Sequence, residues 1–363
     1  MNKQITHLAV AALSCNLICF CAFAQTSKMP GAGLFSTDSV LKITLSGNLR
    51  DLMTDRGETP QNHAVVISYN QEGKEVAVNA EARTRGHFRR TMGNCTYPPL
   101  LLQLTKNDEL SSSIFSEQQR LKLVMPCVGD DYVVREWLVY KIYNLVTPKS
   151  FRARLVSVEL NDTKKKKSTA PTYGILLEEE NQMAKRNENV LIKRQLRPEQ
   201  TDSLPFLTMA VFEYLVGNTD WSVQYQNIKL IAHDSISAIP VAVPYDFDHA
   251  GLVSPPYARP AEELRMNSVR DRRYRGYCLP DPAQFVPVVA LYNKLKPEIY
   301  KLYTDCTLLD QKYVKSTLKY LDEFYETIND PAKMKKEFGY PCDKNGTGNV
   351  VIKGLKDGVP SEE

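Results

Sequence analysis

The chain has 363 residues, 43% of them hydrophobic and 24% charged, a balance ordinary for a globular protein with room for two lobes or two domains. A formal charge of +4 is too small to mark a nucleic-acid binder, so no nucleic-acid partner is expected. Five cysteines, Cys95, Cys127, Cys278, Cys306 and Cys342, lie beyond the first 24 residues. They form no CxxC pair and have no histidine couple nearby, which argues against a thiolate metal site.

Residues 1–24 read as a signal peptide. Lys3 gives a basic start, residues 8–23 are an uncharged apolar run, and Ala22-Phe23-Ala24 is a small-residue cleavage signal that makes Gln25 the expected mature N-terminus. The run is too short for a comfortable membrane span, so no transmembrane segment is expected after cleavage. The protein is therefore expected to be exported, to the periplasm or to the cell surface and medium. In an oxidising compartment one or two disulfides are expected, with Cys95–Cys127 as first choice, because each sits beside a strand-like run. An odd count of five leaves at least one thiol outside an internal pair.

Residues 25–40 are small and polar and read as a flexible leader. From residue 41 the pattern alternates like strands: LKITLSGNL, HAVVISYN, EVAVNAEARTRG, PPLLLQLT and, at 118–125, QQRLKLVM. Helical spacing follows over 134–146, with Asp130 and Asp131 ahead of it as caps. Two more strands, 154–160 and 172–177, flank a four-lysine run at 164–167 that reads as a solvated hairpin tip. Asp202 or Ser203 caps the next helix, Pro205 sits in its first turn and Gly217 stops it. Residues 282–306 give one or two helices broken at Pro287 and Pro297. Residues 310–329 give another, and Asp330 caps a short last one. The expected fold class is α+β: a β-rich first lobe with one helix over 41–200, a mainly helical second lobe over 201–342, and a loose tail over 343–363.

The chemistry concentrates in 212–251, FEYLVGNTDWSVQYQNIKLIAHDSISAIPVAVPYDFDHAG. Asp220 stands just past a helix stop. Asn227 opens one strand, and Asp246-Phe247-Asp248 closes the next. Phosphoryl transfer needs hard oxygen ligands for a divalent cation, an acid that takes the acceptor's proton, and a cation on the phosphates. The order Asp, Asn, strand, Asp-Phe-Asp has the logic of a catalytic loop followed by a metal-binding aspartate. Three such ligands should converge on one cleft.

GNTDWSVQYQNIKL followed by VPYDFDHAG resembles the spore coat protein H (CotH-like) family of atypical protein kinases. The pieces Arg83-Thr84-Arg85-Gly86, LKLVMPCVGDDYVVREWLVYKIYN and TYGILLEEENQMAKR occur in matching order, so the resemblance spans roughly residues 80–250. It implies a divergent, two-lobed protein-kinase-like fold using ATP with Mg²⁺ or Mn²⁺ on a protein substrate. By that resemblance Asp220 is the catalytic acid/base, and Asn227 and Asp246 hold metal, with Asp248 as a further ligand. Glu180 falls at the family's glutamate, and Glu178 fits almost as well. Lys122 is the first candidate for the phosphate-reaching lysine and Lys193 the second. Arg83 and Arg85 alternate on a strand, and Arg85 is assigned with the cofactor-binding residues. The alternative is a catalytically inactive binding or adhesion protein of the cell envelope.

Other chemistries fit less well. The four histidines beyond residue 24 lack metal-pair spacing, which weakens a metal phosphoesterase, and no G-x-S-x-G elbow supports a serine hydrolase. The arginine-tyrosine stretch RDRRYRGY at 270–277 could hold an acidic or phosphorylated partner, but reads first as an exposed loop whose arginines stack on tyrosines.

Overall fold

Alternating residues on seven strands point into one apolar interior, and that alternation closes a barrel. The computed structural model describes residues 33–279 and 281–344; the signal-peptide expectation and most of the predicted tail lie outside them. The strands are β1 (Leu41–Gly47), β2 (His63–Gln71), β3 (Lys74–Thr84), β4 (Leu100–Leu104), β5 (Arg120–Val124), β6 (Ala153–Asp162) and β8 (Thr172–Glu178), with the two-residue β7 (Lys167–Ser168) lengthening the β6 hairpin. Their order is β1-β2-β3-β4-β5-β8-β6, and β6 returns to β1 in parallel, with Leu41 opposite Val156 and Gly47 opposite Asp162. Ile43, Leu45, Val65, Ile67, Val78, Leu102, Leu123, Val158 and Leu176 fill the interior. Full closure leaves none of the seven without a partner on either side.

This overturns the expected two-lobed, kinase-like α+β fold with a β-rich half and a helical half. The sheet is closed rather than an open lobe, and strands and helices are mixed along the chain. Periodicity shows which side chains share a face; it is silent on whether β1 offers one edge or two. Two short helices, α1 (Leu49–Thr54) and α2 (Asp108–Ser112), sit among the barrel strands. The helix expected from residue 134 is α3 (Asp130–Val146), which packs on the outer face of β6 and β8.

The rest of the fold is a second apolar cluster outside the barrel, shared by α3, a three-stranded sheet and five further helices. The sheet is β11-β10-β9, from β9 (Val190–Ile192), β10 (Ile228–Ala232) and β11 (Val241–Pro244). The helices are α4 (Glu180–Arg186), α5 (Ser203–Val216), α6 (Val286–Thr304), α7 (Gln311–Asn329) and α8 (Pro331–Phe338). α5 ends on Gly217 at φ +71, a left-handed stop that suits glycine. α6 runs unbroken through Pro297, and Pro287 sits in its first turn, where proline is tolerated; the expected breaks are therefore absent. Asp330 caps α8 through the amides of Ala332 and Lys333.

Cys95 pairs with Cys127 and Cys278 with Cys342, while Cys306 is a free thiol. Each bridge lowers the unfolded chain's entropy by about 4 kcal/mol at these loop lengths. No helix among the described residues is long and apolar enough to cross a membrane.

Residues 270–277 are an internal clamp rather than an exposed loop. Arg272 donates to the carbonyls of Tyr214 and Leu215 at the end of α5 and to that of Tyr320 on α7, while Tyr274 is fully buried. Helix-end carbonyls lack partners within their own helix, and a guanidinium answers several at once.

Candidate functional site

Past Gly217 the chain turns into a loop closed by an isolated bridge between Ser222 and Gln226. Asp220 is fixed inside it: its amide donates to the Asn218 side chain at 3.0 Å, and its carboxylate accepts from the Gln226 amide at 2.6 Å and the Asn227 amide at 3.1 Å. Arg275 donates to the carbonyls of Thr219 and Trp221, on either side of Asp220. Burial pushes the Asp220 carboxyl up; His249 opposes that, and the charges of Asp248 and Asp246 add to it.

The β10–β11 hairpin sets the other two predicted ligands side by side. Ile228 faces Pro244 in its last rung, and the Tyr245 amide donates to the Asn227 carbonyl at 3.0 Å, so Asn227 and Asp246 flank the hairpin's open end. Both adopt left-handed backbone, at φ +56 and +65. Such conformations in non-glycine residues carry strain that the surroundings must hold. At Asp246 the holding group is Tyr140 of α3, whose hydroxyl accepts the Asp246 amide at 2.9 Å. Phe247 is fully buried, its ring 4.7 Å from Tyr140 and 5.4 Å from Phe212.

Lys122 points outward from β5, between the interior leucines 121 and 123, and its Nζ lies 3.2 Å from Asp246 Oδ2. It also lies 5.9 Å from the Tyr245 ring centroid. Burial alone raises the Asp246 carboxyl, but Lys122, Arg89 and Arg85 together hold it below the ordinary aspartate value. Arg85 is half-buried just past β3, and Arg83 shares a cross-strand row with Leu101 and Lys122.

Other predicted site residues stand elsewhere. Asp248 turns away: its carboxylate accepts the Tyr257 hydroxyl at 3.0 Å and lies 3.8 Å from Arg89. Glu178 is buried in a structural fork, accepting from Arg186 Nε and Nη2 and from the Arg152 amide, each at 3.0 Å. Glu180 opens α4 and pairs with Lys229 at 2.9 Å, so neither glutamate partners Lys122. Lys193 is exposed just after β9 and makes no ion pair among the described residues.

Two members of the cluster escape motif reading. Arg89 is buried with Nη1 3.6 Å from Glu136 and 3.8 Å from Asp248. Burial raises the Glu136 carboxyl to about 8, Arg89 opposes it, and Asp248 and Asp246 add to it. A signal for Glu136 does exist. It stands with Val133, Trp137 and Tyr140 on the buried stripe of α3, where a carboxylate is out of place. Arg89 leaves no such sign.

Among the described residues, no three His, Cys, Asp or Glu side chains are arranged to hold a metal ion. Mg²⁺ is commonly held by one or two protein oxygens together with substrate phosphates and water. Asp246 and Asn227 supply hard oxygen donors of that kind, with Lys122 alongside for a phosphate. Neither a protein-family model nor a curated protein matches the chain.

Proposed function

We propose that this exported protein binds ATP with a divalent cation at the end of the β10–β11 hairpin and transfers a phosphoryl group to a protein hydroxyl. One observation carries the reading: Asn227 and Asp246, both in strained left-handed backbone, flank the hairpin's open end while Lys122 reaches Asp246 from the barrel. Asp246 and Asn227 are the residues to hold Mg²⁺ or Mn²⁺, which would neutralise phosphate charge when bound. Lys122 has the reach to trade its pairing with Asp246 for a phosphate oxygen. Asp220, held by Gln226 and Asn227, is the group to accept the acceptor hydroxyl's proton, and burial favours proton uptake there. Arg85 adds positive charge beside Asp246. The two disulfides accord with an oxidising compartment.

A second reading has its own support: Asp220 and Asp246 are already satisfied by amides and an ammonium. That suits an envelope binding or adhesion protein without turnover.

Nucleotide binding and autophosphorylation with Mg²⁺ and Mn²⁺ decide between the two. The native chain should bind ATP only with the cation, and Asp246→Ala should abolish binding. Asp220→Ala should retain binding and lose about 100-fold or more in transfer. Absence of metal-dependent ATP binding sinks the enzyme reading, and binding without transfer favours the second.

A further inference from the structure

Residues 85–97, between β3 and β4, contain neither helix nor strand, and only two of their side chains are buried, Arg89 and Cys95. Both anchor at the same junction. Arg89 Nη2 donates to the Met125 carbonyl at 2.5 Å, and Cys95 is bonded to Cys127 two residues further on. The Thr96 amide donates to the Cys127 carbonyl at 3.1 Å, and Arg56 braces the carbonyls of Cys95 and Thr96. From that seat Arg89 meets Glu136 and Asp248, and Cys127 lines the small cavity that Arg89, Glu136, Asp248 and Tyr257 share. Arg89 Nε and Glu136 Oε1 are buried there without hydrogen-bond partners.

Burying a guanidinium costs several kcal/mol before its ion pairs return any of it. The segment's apolar contacts are few: the Phe88 ring centroid lies 5.7 Å from that of Tyr257 and 6.4 Å from that of His249, and Tyr97 packs partly buried against the barrel cluster. The disulfide supplies the constraint, worth about 4 kcal/mol by loop closure.

We infer that Arg89 is a positioning residue for the Asp246–Asp248 turn and that the Cys95–Cys127 disulfide is what seats it, making the site sensitive to reduction. Two electrons and two protons from a dithiol reductant break the S–S bond, give two cysteine thiols and leave the dithiol as its own disulfide. The loop then lifts, Arg89 gains water, Asp248 loses its counter-charge and Glu136 loses the guanidinium beside it. The link to nucleotide affinity rests on the reading above; the seating of the loop does not.

Amide hydrogen exchange on the full chain, oxidised and after dithiol treatment, tests the seat. Reduction should speed exchange across 86–97 at least about tenfold, and more weakly at 246–248, while β2 and α7 hold their protection. The Cys278→Ala/Cys342→Ala variant, in which Cys95–Cys127 is the remaining bridge, should respond identically. In the oxidised protein Arg89→Ala should speed exchange at 246–248 with the loop still protected, and Arg89→Lys should restore part of that protection. Metal-dependent ATP affinity should fall about tenfold on reduction and in Arg89→Ala, and return on reoxidation. Unchanged exchange at 86–97 after reduction, unchanged exchange at 246–248 in Arg89→Ala, or global unfolding on reduction overturns the inference. If the native chain binds no ATP, the phosphotransfer reading falls and the exchange data alone decide the role of Arg89.

Discussion

Inside the barrel Leu45, Ile67, Leu102 and Leu123 are fully buried among one another, and the buried Arg154 of β6 spends its guanidinium on the Leu34 carbonyl at 2.9 Å. On the other side of the same strands Arg89, Lys122, Glu136, Asp248 and His249 are each less than 10% exposed. β5 shows both in consecutive residues: Leu121 and Leu123 turn inward and Lys122 turns toward Asp246. The interior is stabilised by apolar area removed from water and by close packing. The outer seam spends stability on desolvating charge and recovers it only through pairing. A region that gives up stability in this way, with two strained backbone positions beside it, is where binding or chemistry belongs.

The largest expected effect lies on the interior side. Leu102→Ala leaves a cavity in a fully packed barrel and should cost about 3–5 kcal/mol in urea unfolding, while ligand binding per folded molecule stays unchanged. A loss below about 1 kcal/mol would show that the barrel collapses around the gap, and the contrast with the seam would weaken.

The next effect separates the two regions by pH. In the unfolded chain Glu136 ionises near its ordinary value of 4.5, while in the fold burial holds its proton up to about 8. Between those values the folded state binds more protons. This group's contribution is therefore fully present below 4.5 and is lost as pH rises through 8. Glu136→Gln, neutral throughout, should flatten that fall and gain on the order of 4 kcal/mol over native at pH 9 relative to pH 5. Barrel variants should leave the slope alone. Parallel pH profiles for native and Glu136→Gln would show that Arg89 keeps Glu136 ionised in the fold.

The two regions were also unequally legible. Alternation in ITL, VVIS, LLLQL and LKLV marks strands because each interior side chain obeys one rule, and caps such as Asp330 and Gly217 work within a single turn of helix. Closure depends on β1 pairing with β6 far along the chain, a contact with no local signal, so the two-lobed expectation failed there. In the site, the Asp220–Asn227 contact and the hairpin that brings Asn227 to Asp246 come from nearby residues, and the spacing already suggested them. The Lys122–Asp246 pairing joins residues 124 positions apart in the chain. Arg89, Arg275 and Tyr140 come from a loop, a clamp and a helix whose residue types carry no distinctive pattern. In the 270–277 stretch the expected stacking on tyrosine holds, with Arg272 3.5 Å from the Tyr320 ring centroid, but the expected exposure fails, because arginines that grip buried carbonyls look, in sequence, like arginines in water.

The smallest effect tests whether the strain at Asp246 is held from the barrel-packed helix α3. Tyr140→Phe keeps the ring against Phe247 and removes only the hydroxyl that accepts the Asp246 amide. The orphaned amide should cost about 1–2 kcal/mol in stability. With that bond gone, Asp246 has less reason to stay at φ +65, so metal-dependent ATP affinity should drop several-fold while Asn227, held by Asp220, keeps its place. The amide resonance of residue 246 in an NMR spectrum should shift and exchange faster, with those of 227 and 228 nearly unmoved. Equal disturbance on both sides of the hairpin end would mean that the two ligands are positioned as one rigid unit, and α3 would lose its separate hold on Asp246.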